Sequence, residues 1–131
     1  METLEQYIFK HELNKEKSIS YVQYLNQLLK KYGYDKKPSH MYNKVSISRA
    51  LWHSIIKEKS PPSLNFTLKV VFAMHCTNHE CKYLLKKAGF TLSSSSRYSL
   101  IIRYCLEHQI YDLMEVNDYL MKYGYDDQLI Y

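Results

Sequence analysis

The chain has 131 residues, of which 46% are hydrophobic and 24% charged, and its net charge at pH 7 is +5. This length fits one domain whose core needs no disulfide or metal. The sequence has three cysteines, and such a small and odd number does not indicate a disulfide framework. No charged-then-apolar leader begins the sequence and no apolar run could cross a bilayer, so we expect a cytoplasmic protein that does not enter a membrane.

The first two predicted elements are helices. Thr3 and Gln6 have capping-box spacing, which predicts a short helix over about 3–15. Its apolar residues fall on one side, namely Leu4, Tyr7, Ile8 and Leu13. A second helix is predicted over 20–32, because apolar residues recur there at helical spacing until Gly33.

Gly33 is the first of only three glycines, and all three share one context. Each glycine has a leucine four residues before it and an aromatic residue directly after it, in the sets Leu29–Gly33–Tyr34, Leu85–Gly89–Phe90 and Leu120–Gly124–Tyr125. A left-handed glycine with an apolar contact across it is typical of a Schellman helix end. We therefore expect three helices to end at these glycines.

The central segment predicts two short helices and then a buried one. The first short helix covers about 39–45, and Ser48 caps the second, over about 49–58. The prolines of "SPPS" at 60–63 interrupt the chain, and Ser63 caps a helix over about 64–75. This last helix is apolar around most of its circumference, so we expect it to be the central buried element.

The remaining elements are also helical. Thr77 with Glu80, and Asp112 with Glu115, have capping-box spacing and open helices that end at Gly89 and Gly124. Between them, serines 93–96 form a polar connector to a helix over 97–108. The residues expected to face inward on that helix are Leu100, Ile101, Tyr104 and Cys105. No pair of strands is predicted, so the fold class is all-α with about eight helices.

Positive charge is concentrated in one quarter of the chain. Residues 30–60 contain eight Lys or Arg and two acidic residues, a net charge of +6, whereas the remainder has a net charge of −1. A local concentration of this kind is typical of a surface that binds a polyanion.

The two short central helices and the tight turn "VSIS" at 45–48 have helix-turn-helix spacing, in which the second helix enters the DNA major groove. We expect five residues to pack the pair together, namely Met41, Val45, Ile47, Trp52 and Ile55. The predicted base-contacting residues are then Arg49, Ala50, His53 and Ser54, with Arg49 placed for guanine. The predicted phosphate-contacting residues are Lys36, Lys37, Lys44, Lys57 and Lys59. An ordinary solvated helix pair is the alternative.

From about Tyr21 to Gly124 the sequence resembles a group of bacterial and phage helix-turn-helix proteins of the Cro/repressor-like (xenobiotic response element) class. The stretches that carry the resemblance are "ISRALWHSII" (47–56), "PS" (62–63), "LLKKAGF" (84–90), "LSSSSRYSLIIRYCLEHQIYD" (92–112) and "EVNDYLMKYG" (115–124). The sequence is also similar to helical modules attached to bacterial macro domains. The resemblance implies a five-helix DNA-binding core over 19–92 and a C-terminal helical hairpin over 93–131. Residues 1–18 lie outside it, as the N-terminal helical extension that the capping box predicts.

Two features of the central segment favour a different function. Val45 stands where the class usually has Ala, and Ser46 where its turn usually has Gly. Leu51 and Ile56 widen the apolar stripe of the second helix, which suits a protein surface better than DNA. The leading prediction is still a sequence-specific DNA-binding regulator that acts as a homodimer on double-stranded DNA, because the net charge of +6 over residues 30–60 favours a polyanion. The alternative is a protein-binding module, such as an antitoxin or a phage-encoded inhibitor, with contacts from Leu51 and Ile56.

The stretch "HCTNHEC" contains four residue types that can bind zinc, at His75, Cys76, His79 and Cys81. Tetrahedral zinc usually takes two separated ligand pairs, and no second cluster follows. Cys76 falls at an apolar helix position, which favours a buried thiol. We therefore predict no metal, no cofactor and no catalytic residue, and expect that the protein is not an enzyme.

Overall fold

The computed structural model of the chain describes residues 1–93 and 95–131, without the side chains of 13–17. The position predicted for the Leu13 side chain, and the serine connector at position 94, lie outside this description. The described residues form eight α-helices and two 3-10 helices and contain no strand, which confirms the all-α prediction. The α-helices are α1 (Leu4–Lys17), α2 (Tyr21–Lys31), α3 (Ser39–Tyr42), α4 (Arg49–Ile56), α5 (Leu64–Met74), α6 (Asn78–Lys87), α7 (Arg97–Glu107) and α8 (Leu113–Lys122). The 3-10 helices are η1 (Asn43–Val45) and η2 (Asp126–Gln128).

Side-chain caps open most of these helices. The hydroxyl groups of Ser48 and Ser63 accept hydrogen bonds from the backbone as predicted, and Thr77 forms its capping box with Glu80. Ser20 forms a further capping box with Gln23 that was not predicted. The box predicted for Asp112 and Glu115 is wrong, because the Asp112 carboxylate accepts from the amide of Met114 at 3.0 Å and so caps α8 alone.

The three glycines end helices α2, α6 and α8 as predicted. Each is left-handed, with φ between 83° and 86°. The amide of the residue after each glycine donates to the leucine carbonyl five residues earlier, at 2.7, 2.9 and 2.9 Å. Four other helix ends use the same geometry without glycine, at Ser46, Glu58, His75 and Gln109. A side chain at such a φ costs conformational free energy that glycine avoids.

Helix α5 lies at the centre of the core. Nine consecutive residues of α5, from Phe66 to Met74, are buried. Helices α2, α3, α4, α6 and α7 each contribute buried side chains to the same cluster. Even polar residues of α5 are covered, and the Thr67 hydroxyl hydrogen-bonds with the Tyr21 hydroxyl of α2 at 2.8 Å. The prediction that this helix is the central buried element is confirmed.

The inward face predicted for α7 is partly wrong. Ile101 and Cys105 are buried as expected, but Leu100 is 49% exposed and Tyr104 is 48% exposed. Tyr98, Ile102 and Leu106 are buried instead. The buried face of α7 therefore lies around the helix axis from the predicted one. Helices α6 and α8 both pack on α7, and they cover the side that carries Tyr98, Ile102 and Leu106.

The C-terminal part of the chain is tied to α5. The Asn65 side chain of α5 exchanges two hydrogen bonds with the backbone of Tyr131, at 2.7 and 2.9 Å. Asn117 of α8 does the same with the backbone of Ile130, at 2.8 Å for both bonds. The imidazole of His75 also stacks on the Tyr111 ring, with centroids 3.9 Å apart. These contacts fasten the α7–α8 hairpin to the core.

Helix α1 differs from the rest because every residue from 1 to 12 is exposed. Its capping box between Thr3 and Gln6 is present as predicted, with bonds of 3.0 and 3.1 Å. The described part of the chain contains no helix that is both long enough and apolar enough to cross a membrane.

Candidate nucleic-acid interface

A left-handed residue sets the turn between α3 and α4. The chain leaves α3 through η1 and turns at Ser46, where φ is 57° and ψ is 39°. The amide of Ile47 then donates a hydrogen bond to the carbonyl of Tyr42 at 3.1 Å. Ser48 is extended and caps α4 by accepting from the amide of Leu51 at 3.1 Å. Within four residues the backbone therefore ends one helix and begins the next.

The residues predicted to join α3 and α4 are all buried, namely Met41, Val45, Ile47, Trp52 and Ile55. Tyr42 belongs to the same contact, and its ring stacks on that of Trp52 with centroids 5.1 Å apart. Trp52 also contacts the Phe66 ring of α5, with ring centroids 5.9 Å apart. Trp52 thus packs between Tyr42 of α3 and Phe66 of α5, and the opposite face of α4 is left exposed.

Three of the four predicted base-contacting residues, Arg49, Ala50 and His53, are exposed on α4. Ser54 is partly buried, and its hydroxyl hydrogen-bonds with the Ser60 hydroxyl at 2.6 Å. Helix α4 ends two residues earlier than predicted. Glu58 adopts a left-handed conformation there, and the Lys59 amide donates a hydrogen bond to the Ser54 carbonyl at 2.8 Å. Ser54 is therefore engaged in the helix end, and Arg49, Ala50 and His53 form the open surface of α4.

Two of the predicted phosphate-contacting lysines lie beside that surface. Lys36 and Lys37 line one shallow depression together with Arg49 and His53. Lys57 and Lys59 are exposed where α4 ends. In the described part of the chain, neither Arg49 nor any of the five predicted lysines forms an ion pair with an acidic side chain. Their positive charge is therefore available to a polyanion.

Lys44 has a different environment from the other lysines. Its ammonium donates to the Tyr34 hydroxyl at 3.1 Å and lies 5.3 Å from the centre of that ring. It lines a second cleft, together with Ser46 and Lys69. Lys69 is almost fully buried, and this burial lowers the pKa of its ammonium. The structure does not bring Lys44 into the depression that contains Arg49.

Lys31, another lysine of the basic segment, is bound to an acidic residue of α6. Its ammonium donates to the buried Glu80 carboxylate of α6 at 2.7 Å. Glu80 also accepts from the Thr77 amide at 2.9 Å and from the Tyr32 hydroxyl. Burial acts to raise the pKa of Glu80, but these hydrogen bonds outweigh it and lower the pKa below its ordinary value. The charge of Lys31 is thus used within the fold.

The two residues predicted for protein contact are in unlike positions. Leu51 is 44% exposed on α4. Ile56 is partly buried against the core, where it lines a shallow cleft with Trp52 and Lys30. Packing inside the molecule therefore accounts for part of the apolar stripe, and Leu51 is its exposed member.

Sequence reasoning missed two polar residues of the depression. Ser39 and Asn43 line it alongside Arg49. Their i, i+4 spacing places them on one face of a helical turn. That spacing is the signal which could have identified them once Met41 and Tyr42 were assigned to the core.

The cysteines of "HCTNHEC" are buried thiols. Cys76 and Cys81 lie in the core, whereas His75 and His79 are exposed. Burial raises the pKa of the Cys76 thiol, and raises that of Cys81 to about 12. Among the described residues, no three His, Cys, Asp or Glu side chains are grouped to hold a metal ion. A thiol with a raised pKa is a poor nucleophile and a poor metal ligand.

Comparison with protein-family models, curated proteins and solved structures finds no match to this chain.

Proposed function

We propose that the chain is a sequence-specific DNA-binding regulator of transcription that uses α3 and α4 as a helix-turn-helix. In this function α4 lies in the major groove, where Arg49, Ala50 and His53 contact the edges of bases. Lys36 and Lys37 contact phosphates on one side of the groove, and Lys57 and Lys59 contact phosphates near the end of α4.

One observation carries the proposal. The exposed surface of α4 adjoins Lys36 and Lys37, and its arginine has no acidic partner within the described residues. An arginine in the first turn of an exposed helix can present its guanidinium to the O6 and N7 of guanine. The adjacent lysines supply attraction to the backbone that does not depend on sequence.

Repressor-like proteins recognise a site as a pair of half-sites. One eight-residue helix such as α4 covers too few base pairs for useful specificity, so a second copy is required. We therefore propose that the protein binds DNA as a homodimer whose two α4 helices enter successive major grooves about 34 Å apart.

Binding to a labelled pool of random duplex DNA across a salt series tests this function. We expect affinity to fall steeply as salt rises, because each phosphate contact releases condensed counterions. Lys36→Ala and Lys37→Ala should each reduce the slope of log affinity against log salt by about 1. Lys82→Ala is the matched control, since Lys82 is an exposed lysine of α6 outside the basic segment and should leave the slope unchanged.

Exposure of Leu51 favours a second candidate, a protein-binding module that keeps this fold and does not read DNA. Here the same face of α4 contacts another protein, such as a toxin or a host enzyme, through an apolar centre and a basic rim. If no duplex binds at physiological salt, this candidate replaces the first.

A further inference from the structure

Helix α1 carries an exposed apolar stripe within its described residues 4–12. Leu4, Tyr7 and Ile8 are exposed, and with His11 they follow the i, i+3, i+4, i+7 spacing of one helix face. The Tyr7 and His11 rings contact each other, with centroids 4.1 Å apart and ring planes tilted by 36°. Phe9 is also exposed but lies on a different face of the helix. An exposed stripe of this kind is typical of an interaction surface.

A groove between α7 and α8 is also unfilled. Its apolar wall includes the two α7 side chains that the sequence predicted to be buried, Leu100 and Tyr104. From α8, Tyr119 packs edge-on to Tyr104, with ring centroids 6.1 Å apart. At the other end, Arg97 lies over the Tyr123 ring at 5.7 Å and Lys122 lies 6.0 Å from the same ring centre. The groove therefore has an aromatic half and a basic half.

The α1 stripe and the α7–α8 groove match in length. Leu4 and His11 are seven residues apart, and so are Arg97 and Tyr104. At 1.5 Å per residue each surface therefore spans about 10 Å. Both surfaces also combine aromatic rings with aliphatic side chains, so that each would cover the other's exposed apolar groups.

The two surfaces also match in charge. The charged side chains of residues 1–12 are three glutamates and one lysine, namely Glu2, Glu5, Glu12 and Lys10, a net charge of −2. In the groove, the cations Arg97 and Lys122 lie together at one end. Lys10 pairs with Glu2 at 3.8 Å, so the Glu5 carboxylate in the first turn of α1 is the charge that would seat beside Arg97 and Lys122. Complementary charge of this kind fixes the direction in which a helix lies in a groove.

From this complementarity we infer that α1 of one copy of the chain docks in the α7–α8 groove of a second copy, and that the exchange is reciprocal. Within one chain the helix is exposed and the groove is open, and the segment that joins α1 to α2 is held on α6 by a hydrogen bond from the Lys87 ammonium to the Ile19 carbonyl. A two-fold axis would let each copy donate α1 and receive the partner's, so two equivalent contacts would close the dimer.

This pairing rests on the homodimer of the proposed function, and it is tested without DNA. Sedimentation velocity of the full chain over a concentration series should show a monomer–dimer equilibrium. Ile8→Asp in α1 and Leu100→Asp in the groove should each raise the dimer dissociation constant by roughly tenfold or more, the effect of losing one apolar anchor. Phe9→Asp in α1 and Met121→Asp in α8 are the matched controls, because each replaces an exposed apolar side chain that lies outside the contact.

Exchanging the charges of Glu5 and Arg97 shows whether a variant weakens the dimer by losing a direct contact or by losing its fold. Glu5→Lys and Arg97→Glu should each weaken the dimer by about twofold to fivefold, and the two together should restore part of the loss. All six residues changed singly are exposed, so melting of each monomer should stay close to that of the wild type. A wild-type chain that remains monomeric, equal losses from Phe9→Asp and Ile8→Asp, or no recovery in the double exchange would each overturn the inference. A dimer that does not bind DNA would instead contradict only the proposed function.

Discussion

The indole of Trp52 stacks on the phenol ring of Tyr42, with centroids 5.1 Å apart and ring planes 25° from parallel. Tyr42 ends α3 and Trp52 lies in the middle of α4, so this pair sets how the two helices meet. On its other side Trp52 contacts Phe66 of α5. Trp52 therefore contacts two other helices at once, and it is the only tryptophan in the chain.

Trp52→Ala should lower the free energy of unfolding by about 3–5 kcal/mol, because it leaves a large cavity among three helices. Trp52→Phe should cost less, since a ring that still stacks on Tyr42 retains part of the contact. Chemical denaturation followed by far-ultraviolet circular dichroism measures both losses. A cost below that of Leu51→Ala, an exposed position on the same helix, would show that Trp52 does not hold the helices together.

Ser46→Gly should stabilise the protein by about 1 kcal/mol. Ser46 is left-handed at φ 57°, and glycine adopts this conformation without the clash that a Cβ atom makes. Ser48→Ala should instead cost about 1 kcal/mol, because Ser48 caps α4. The two serines flank Ile47, so opposite shifts of the melting temperature would separate turn geometry from capping. Destabilisation by Ser46→Gly would contradict the conformational explanation.

Glu80→Gln should lower stability at neutral pH by roughly 1.5–3 kcal/mol, the range for hydrogen bonds to a charged group. The pKa of Glu80 is lowered in the folded state, so its contribution is complete above the ordinary value of 4.5 and is lost as pH falls through the folded pKa. The difference between wild type and variant should therefore be largest near pH 7 and disappear in acid.

Urea denaturation at a series of pH values measures this difference. Glu115→Gln is the control, because Glu115 is exposed and makes no side-chain hydrogen bond among the described residues. Equal pH profiles for the Glu80 and Glu115 variants would show that the contact with Lys31 contributes nothing specific.

Arg49→Ala should weaken binding to a preferred DNA site by about 1–3 kcal/mol and change binding to random duplex little, because a base contact discriminates between sequences. Lys36→Ala should weaken both kinds of DNA alike. Anisotropy titrations with a selected site and a scrambled duplex measure the two effects, and the fluorescence of Trp52, beside Arg49 in the same depression, provides an internal signal. An equal loss of affinity for both duplexes would show that Arg49 contacts phosphates and not bases.

Leu51→Asp distinguishes the second candidate function. Leu51 is exposed, so the variant should fold and melt like the wild type. If the protein binds DNA, the variant should retain the salt dependence that the lysines produce. Loss of a protein complex by Leu51→Asp, together with no DNA binding by the wild type, would favour the protein-binding module.

The sequence by itself determined most of the helix ends and the five residues that join α3 and α4 in the core. Glycine at Gly33, Gly89 and Gly124, and the caps at Ser48 and Ser63, act within one helical turn, so local spacing is enough to identify them. The exposed positions of Arg49 and His53 follow equally from the period of a short helix.

Tertiary packing alone decided the features that depend on residues far apart in the chain. Helix α7 has apolar residues on two sides, and only the positions of α6 and α8 determined that Leu100 and Tyr104 stay exposed while Ile102 and Leu106 are buried. Lys31 is paired with Glu80 across 49 positions, so a local charge count could not remove it from the basic surface. Such choices depend on which surfaces meet, because burial free energy is gained only where two elements cover each other.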